Sequence, residues 1–170
     1  MPNHVQHVME LTGPSEQIVA LLNHIKGEDE SDLFCFNNVI PMPDVLKDST
    51  ADGNTNAELV SITGYSDWYD WCCDNWGTKW GAYDTILTDD GKLLFQTAWS
   101  TAPNVFAKLS ELFPEVKMVI DYADEDIGSN VGQLTYLGGM LTTEIVGGAE
   151  MACAIWGYDY DKDTDQAIYE

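Results

Sequence analysis

Cations are what this 170-residue sequence has least of. Seven Lys+Arg face 29 Asp+Glu, a formal net charge of −22. That is too few to pair even a quarter of the carboxylates, so most acids must sit in water. A field of this sign repels nucleic acid and anionic membrane and steers cationic partners. Direct nucleic-acid binding is therefore disfavoured. Metal-type CxxC spacing is also missing. Cys35, Cys72, Cys73 and Cys153 are read as reduced thiols, with the adjacent Cys72 and Cys73 diverging on any helix. The first residues lack a basic segment followed by an apolar stretch, and no run approaches the roughly 18 apolar residues of a membrane span. The expectation is a cytoplasmic protein with no membrane partner. There is no GxSxG, no phosphate-binding glycine loop and no HExxH. His4 and His7, three apart on an expected strand, face opposite sides and make no two-His metal pair. No catalytic residue, cofactor or resident metal is expected, and the chain reads as a binding protein, not an enzyme.

What is present is enough apolar material to fold. The hydrophobic fraction is 45%, with six Trp, eight Tyr and five Phe, far from the composition of disordered acidic chains. The length fits a single domain. The reading is one domain over residues 1–157 followed by an acidic tail, 158–170, without fixed structure.

Periodicity and turn chemistry give the order of elements. Residues 3–12, rich in strand formers, read as a strand ended by Gly13-Pro14. Ser15 is a candidate N-cap for a helix carrying Ile18, Leu21, Leu22 and Ile25, stopped at Gly27. Leu33 to Phe36 reads as a short strand, leaving through Pro41 and Pro43 as an extended arm. Residues 49–64, small and polar, read as a mobile loop. Residues 65–76 read as a helix that puts Trp68, Trp71, Cys72 and Trp76 on one face and Asp67, Asp70 and Asp74 on another. A hairpin turns at Asp89-Asp90-Gly91, Pro103 opens a helix, and a strand covers 116–121. A second hairpin turns at Gly138-Gly139, and a helix covers 149–156. Hairpin-joined strands interleaved with helices predict an α+β, ferredoxin-like fold, an antiparallel-dominated sheet covered by helices on one face.

Several acidic groups are candidate contacts for a basic partner. The helical row Asp67, Asp70 and Asp74 is the best defined, with axial steps of about 4.5 and 6 Å at ~1.5 Å per residue. Glu28, Asp29 and Glu30 form a second group, and Asp124, Glu125 and Asp126 a third. Against each stands the plainer reading of a solvated charged face. Asp124 to Asp126 could alternatively hold a hard cation, but neighbouring acids on an extended chain alternate between faces. Asp159, Asp161, Asp163, Asp165 and Glu170 match the ligand offsets of an EF-hand loop. Thr164 replaces the required glycine, however, and no exiting helix follows.

Longer blocks carry a resemblance: Met1-Pro2-Asn3-His4-Val5, His24-Ile25-Lys26-Gly27, residues 36–43 (Phe36 to Pro43), Trp68-Tyr69-Asp70-Trp71-Cys72, Asn75 to Trp80, Phe95 to Ser100 and Tyr122 to Gly128. With these the chain resembles the phage- and plasmid-borne proteins that carry a YubB-type ferredoxin-like domain. It departs from them in a short 47–64 segment and in Ser100-Thr101-Ala102-Pro103. The resemblance implies the fold and a mobile-element setting, with no catalytic residues to carry over. Charge and setting together give the functional expectation: an anti-defence inhibitor that occupies the basic groove of a host nucleic-acid-binding protein, a CRISPR effector or restriction enzyme, by mimicking DNA. The alternatives are a carboxylate or metal-dependent enzyme and an accessory protein without mimicry.

Overall fold

Strand β1, His4–Thr12, sits at the centre of the molecule, and its alternation sets the two sides of the sheet. Val5, His7 and Met9 are wholly buried on one face, while Gln6 and Val8 are half-buried on the other. The structure, a computed structural model, is described for residues 2–168; Met1, Tyr169 and Glu170, including the last position of the EF-hand spacing, lie outside that range.

Helix α1 is Ser15–Ile25. Ser15 is its first residue, not its cap; Pro14 precedes it with no side-chain cap, and the Pro14 carbonyl accepts from Gln17 and Ile18. The strand expected at Leu33 to Phe36 is instead extended chain leading into a 3-10 turn at Phe36–Asn38. Phe34 and Phe36 are buried there edge-to-face, 4.9 Å between centroids, so aromatic packing rather than sheet pairing explains the apolar run. Two short helices follow, α2 (Asp44–Lys47) and α3 (Ala57–Thr63). The second corrects the reading of 49–64 as wholly a loop. Asn56 caps α3 by accepting from the Leu59 N–H, and Gly64 ends it at φ +86°. Helix α4 is Trp68–Asn75, shorter at its start than expected.

Strands β2 (Tyr83–Leu87) and β3 (Leu93–Ala98) form the first hairpin, α5 is Pro103–Leu112 with proline at its start, and β4 is Lys117–Asp124. Strands β5 (Val131–Leu137) and β6 (Met140–Val146) join through Gly138 and Gly139 at φ +59° and +81°. Two consecutive positive φ values are what a two-residue hairpin of matching twist requires, and glycine reaches them without steric cost. Helix α6 is Ala149–Trp156. The segment read as a loose tail folds back instead as a small hairpin, β7 (Asp159–Asp161) with β8 (Gln166–Ile168), packed beside α6.

The main sheet has six strands in the order β2-β3-β1-β4-β5-β6, every pairing antiparallel. Its β2-β3-β1-β4 part, with α1 and α5 as crossovers, is the ferredoxin-like arrangement. α1 and α5 cover one face over a core that includes Phe34, Phe95, Phe106, Met118 and Ile120. A second, smaller cluster of Ala123, Val131 and Ala152 packs α6 against one end of the opposite face. Trp156 pins it there, its indole N–H reaching the Ala123 and Asp124 carbonyls at 3.2 and 3.0 Å.

Candidate partner-binding surface

Asp67 ends the extended chain before α4, with φ −159°. Its carboxylate accepts from the Tyr69 and Asp70 N–H groups at 2.9 and 3.0 Å, satisfying two of the helix's unpaired donors. Asp67 is thus 5% exposed and a cap, while Asp70 and Asp74 point into water. The other side of α4 carries Trp71 and Cys72 into the core, followed by Trp76. The Trp76 indole N–H donates to the Ile40 carbonyl at 2.9 Å, fixing the arm before α2. Ser49 Oγ accepts from the Trp68 N–H at 2.8 Å, and buried Leu46 anchors α2. These contacts bring the 48–57 segment beside the start of α4.

Between the two lies an acidic cleft. One part, about 270 Å³, is lined by Ser66, Asp67, Tyr69 and Asp70 with the tip residues 51 and 53–55. It adjoins, through shared Asn54 and Thr55, a larger and more open polar part that adds Asp48 and Asp52. Four aspartates therefore line the two adjoining parts, with no lysine in either lining. Helical spacing over a helix drawn from Tyr65 groups Asp67 with Asp70 but not with Asp48 or Asp52, which lie 19 and 15 residues before Asp67 and come to the cleft with the segment that Leu46 and Ser49 anchor.

Tyr69 links this cleft to an aromatic wall. Its ring meets Trp68 and Trp99 edge-on, at 5.9 and 6.1 Å between centroids. Trp99 is 42% exposed and has φ +68°, a conformation bulky residues rarely adopt. Its N–H donates to the Asn3 carbonyl at 2.9 Å and its carbonyl accepts from Asn130 Nδ2 at 3.1 Å, so the neighbouring chain holds it there.

The other acidic groups have different placements. Glu28, Asp29 and Glu30 are exposed in the turn after α1, where Ser31 donates its N–H and hydroxyl to Asp29 and holds that carboxyl below the usual range. Asp124 is 6% exposed and accepts from Asn3 Nδ2 and the Asp126 N–H. Glu125 accepts from the His4 N–H, and Asp126 from Ser129 Oγ. These three carboxylates are tied to separate local donors. In the β7–β8 hairpin, Asp161 turns back onto the Asp163 N–H and Asp165 takes the Tyr160 hydroxyl. Among the described residues, no group of three or more His, Cys, Asp or Glu is placed to hold a metal ion.

The thiols are poor nucleophiles. Burial pushes Cys72 up to about 12, with neighbouring Cys73 and Asp67 adding to the shift. Burial also raises Cys73, with Asp70, Asp74 and Asp67 adding to it, and only the Tyr69 hydroxyl works the other way. The thiolate, which is the reactive form, is suppressed in this acidic setting.

Among the described residues, no helix is long and apolar enough to cross a membrane. No curated protein matches the chain. The fold is similar to a crystal structure of protein api92 from Yersinia pseudotuberculosis, with a TM-score of 0.50 and 21% identity. That similarity covers 68% of this chain and 40% of api92, so the chain spans well under half of that relative. At this identity the likeness concerns the fold alone. Residues 75–170, more than half of the chain, match the family described as the ferredoxin-like domain in Api92-like protein. The match runs from the end of α4 through all three hairpins, and the chain belongs to this family.

Proposed function

We propose that the protein is a stoichiometric binder of a basic, nucleic-acid-handling protein, engaged through the acidic surface at the start of α4. The observation that carries this reading is the cleft lined by Asp48, Asp52, Asp67 and Asp70 beside an aromatic wall that exposes Trp99, in a chain of net charge −22. Long-range charge would steer a cationic partner, and the aromatic rings would slow its departure. A binder of this kind needs no active site. Asp70 and Asp74, one helical turn and about 6 Å apart along the axis, extend the negative row beyond the cleft.

The resemblance to phage- and plasmid-borne proteins with a YubB-type domain supports a narrower version. In it the partner is a host defence nuclease, a CRISPR effector or restriction enzyme, in the host cytoplasm, and the acidic row stands in for the phosphates of DNA. The test is binding to purified defence nucleases at low and at high salt, with duplex DNA or guide RNA as competitor. Salt-sensitive binding that nucleic acid displaces is expected. Binding that leaves the nucleic-acid groove open would contradict the mimicry, and no binding at low salt would remove this class of partner.

A further inference from the structure

Lys79 is in an unusual place for a cation in so acidic a chain. Four of the seven lysines, Lys47, Lys92, Lys108 and Lys162, lie within salt-bridge distance of a carboxylate. Lys79 does not, among the described residues. Its ammonium instead lies over two indole rings, 4.6 Å from the centroid of Trp80 and 5.0 Å from that of Trp99. Two aromatic faces within about 6 Å of one charge make a site whose ring quadrupoles attract cations. The wall also continues past that charge: Tyr69 stands edge-on to Trp99 and lines the acidic cleft with Asp67 and Asp70.

We propose that Trp80 and Trp99 form a cation cage for an arginine of the partner, which takes the place held in the free protein by Lys79, while a second cation of the same segment enters the Asp67–Asp70 cleft across Tyr69. This rests on the reading that the partner is basic, and adds how it is recognised. Arginine fits better than lysine because its planar guanidinium stacks on aromatic faces and is more weakly hydrated than an ammonium. The chain contains no arginine of its own, so no internal guanidinium competes for the cage. Lys79 holds the two indoles around a positive charge until the partner arrives. It is tethered next to Trp80 and, with no carboxylate to hold it, can swing into solvent when a guanidinium displaces it.

The held conformation of Trp99 supplies a clean variant. At φ +68° glycine is at ease, so Trp99→Gly removes the ring while relieving the backbone. The probe is a hexa-arginine peptide, titrated at low salt into the full chain while the indole N–H signals of Trp80 and Trp99 are followed by NMR. Those two signals should move with saturation. Affinity should drop about five- to tenfold in Trp99→Gly and in Trp80→Leu, the size of a cation–π contact, with net charge unchanged. Lys79→Met should bind more tightly than Lys117→Met, which changes the net charge equally from an exposed site at the start of β4. Hexa-lysine should bind more weakly than hexa-arginine. Binding that is salt-sensitive but indifferent to both tryptophans, or equal in the two lysine variants, overturns the cage and leaves the acidic-surface reading standing. Absence of hexa-arginine binding at low salt overturns both.

Discussion

Replacing His7 with phenylalanine is expected to flatten the acid side of the stability profile. His7 is wholly buried at the centre of β1, stacked on Phe95 at 4.6 Å and flanked by Phe106 and Tyr122. Neither ring nitrogen has a hydrogen-bond partner of good geometry. Burial pushes the imidazole down from 6.5 to about 3, and the nearby Val5 and Phe95 backbone only partly offsets this. Between those two values the unfolded chain binds a proton that the folded chain refuses. The resulting contribution is fully present above the unfolded value and is lost as pH falls, by about 1.4 kcal/mol per unit. From pH 7.5 to 5.0 the loss is about 2 kcal/mol. The same fall in pH eases repulsion among the carboxylates, which stabilises the fold and masks the effect in the wild type alone. That contribution is common to both proteins, so the difference between wild type and His7→Phe isolates the imidazole. Urea denaturation at pH 7.5 and 5.0, both above the sequence pI of about 4.1, should show the wild type losing about 2 kcal/mol relative to His7→Phe. Phenylalanine also removes two buried nitrogens that lack a well-aligned partner, so the variant should be the more stable at both pH values. Parallel pH profiles would refute the reasoning, because they would mean that His7 takes up its proton in the folded state.

Asp67→Ala should lower stability by about 1–2 kcal/mol through loss of the α4 cap, whereas Asp67→Asn, an equally good cap, should change the midpoint little; thermal denaturation separates them. Gly132→Ala should destabilise by about 1–3 kcal/mol. An added Cβ would sit 2.4 Å from the Ile145 carbonyl oxygen and 2.9 Å from the Tyr122 hydroxyl, which urea titration would register. At pH 8, none of Cys35, Cys72, Cys73 and Cys153 should react with a disulfide reagent faster than a free thiol, since burial raises all four; a fast-reacting thiol would contradict the assignment.

Features set by short-range rules are legible in the amino-acid sequence itself. The strand formers of β1, the Asp-Gly and Gly-Gly turns and Pro103 at the start of α5 each follow from a few adjacent residues, and together they define the antiparallel sheet. Elements that depend on partners distant in sequence are not legible in this way. Helix α3 is obscured by the polar residues before it, although Asn56 and Gly64 are its cap and stop. Strands β7 and β8, three residues each, carry no periodic signal and gain their place by packing beside α6. In the candidate site, Asp70 and Asp74 stand out by helical spacing. Asp67 groups with them only on a helix drawn from Tyr65, whereas aspartate is also a preferred cap residue, the role Asp67 takes. The convergence of Asp48 and Asp52 with Asp67, and of Lys79 with Trp99, joins residues 15 to 20 positions apart. No local pattern announces such meetings.

The central claim is that the surface at the start of α4, not charge in general, engages a basic nucleic-acid-handling protein. The direct measurement compares two variants of equal net charge for binding to a purified defence nuclease at low salt. One carries Asp48→Asn, Asp52→Asn and Asp70→Asn. The other carries Glu10→Gln, Asp89→Asn and Glu115→Gln, exposed positions in β1, in the turn between β2 and β3 and in the turn before β4. The prediction is that the first loses binding, and with it the ability to exclude duplex DNA from the nuclease, while the second behaves as the wild type. Equal affinities for the two variants would contradict it, leaving only a diffuse field of charge.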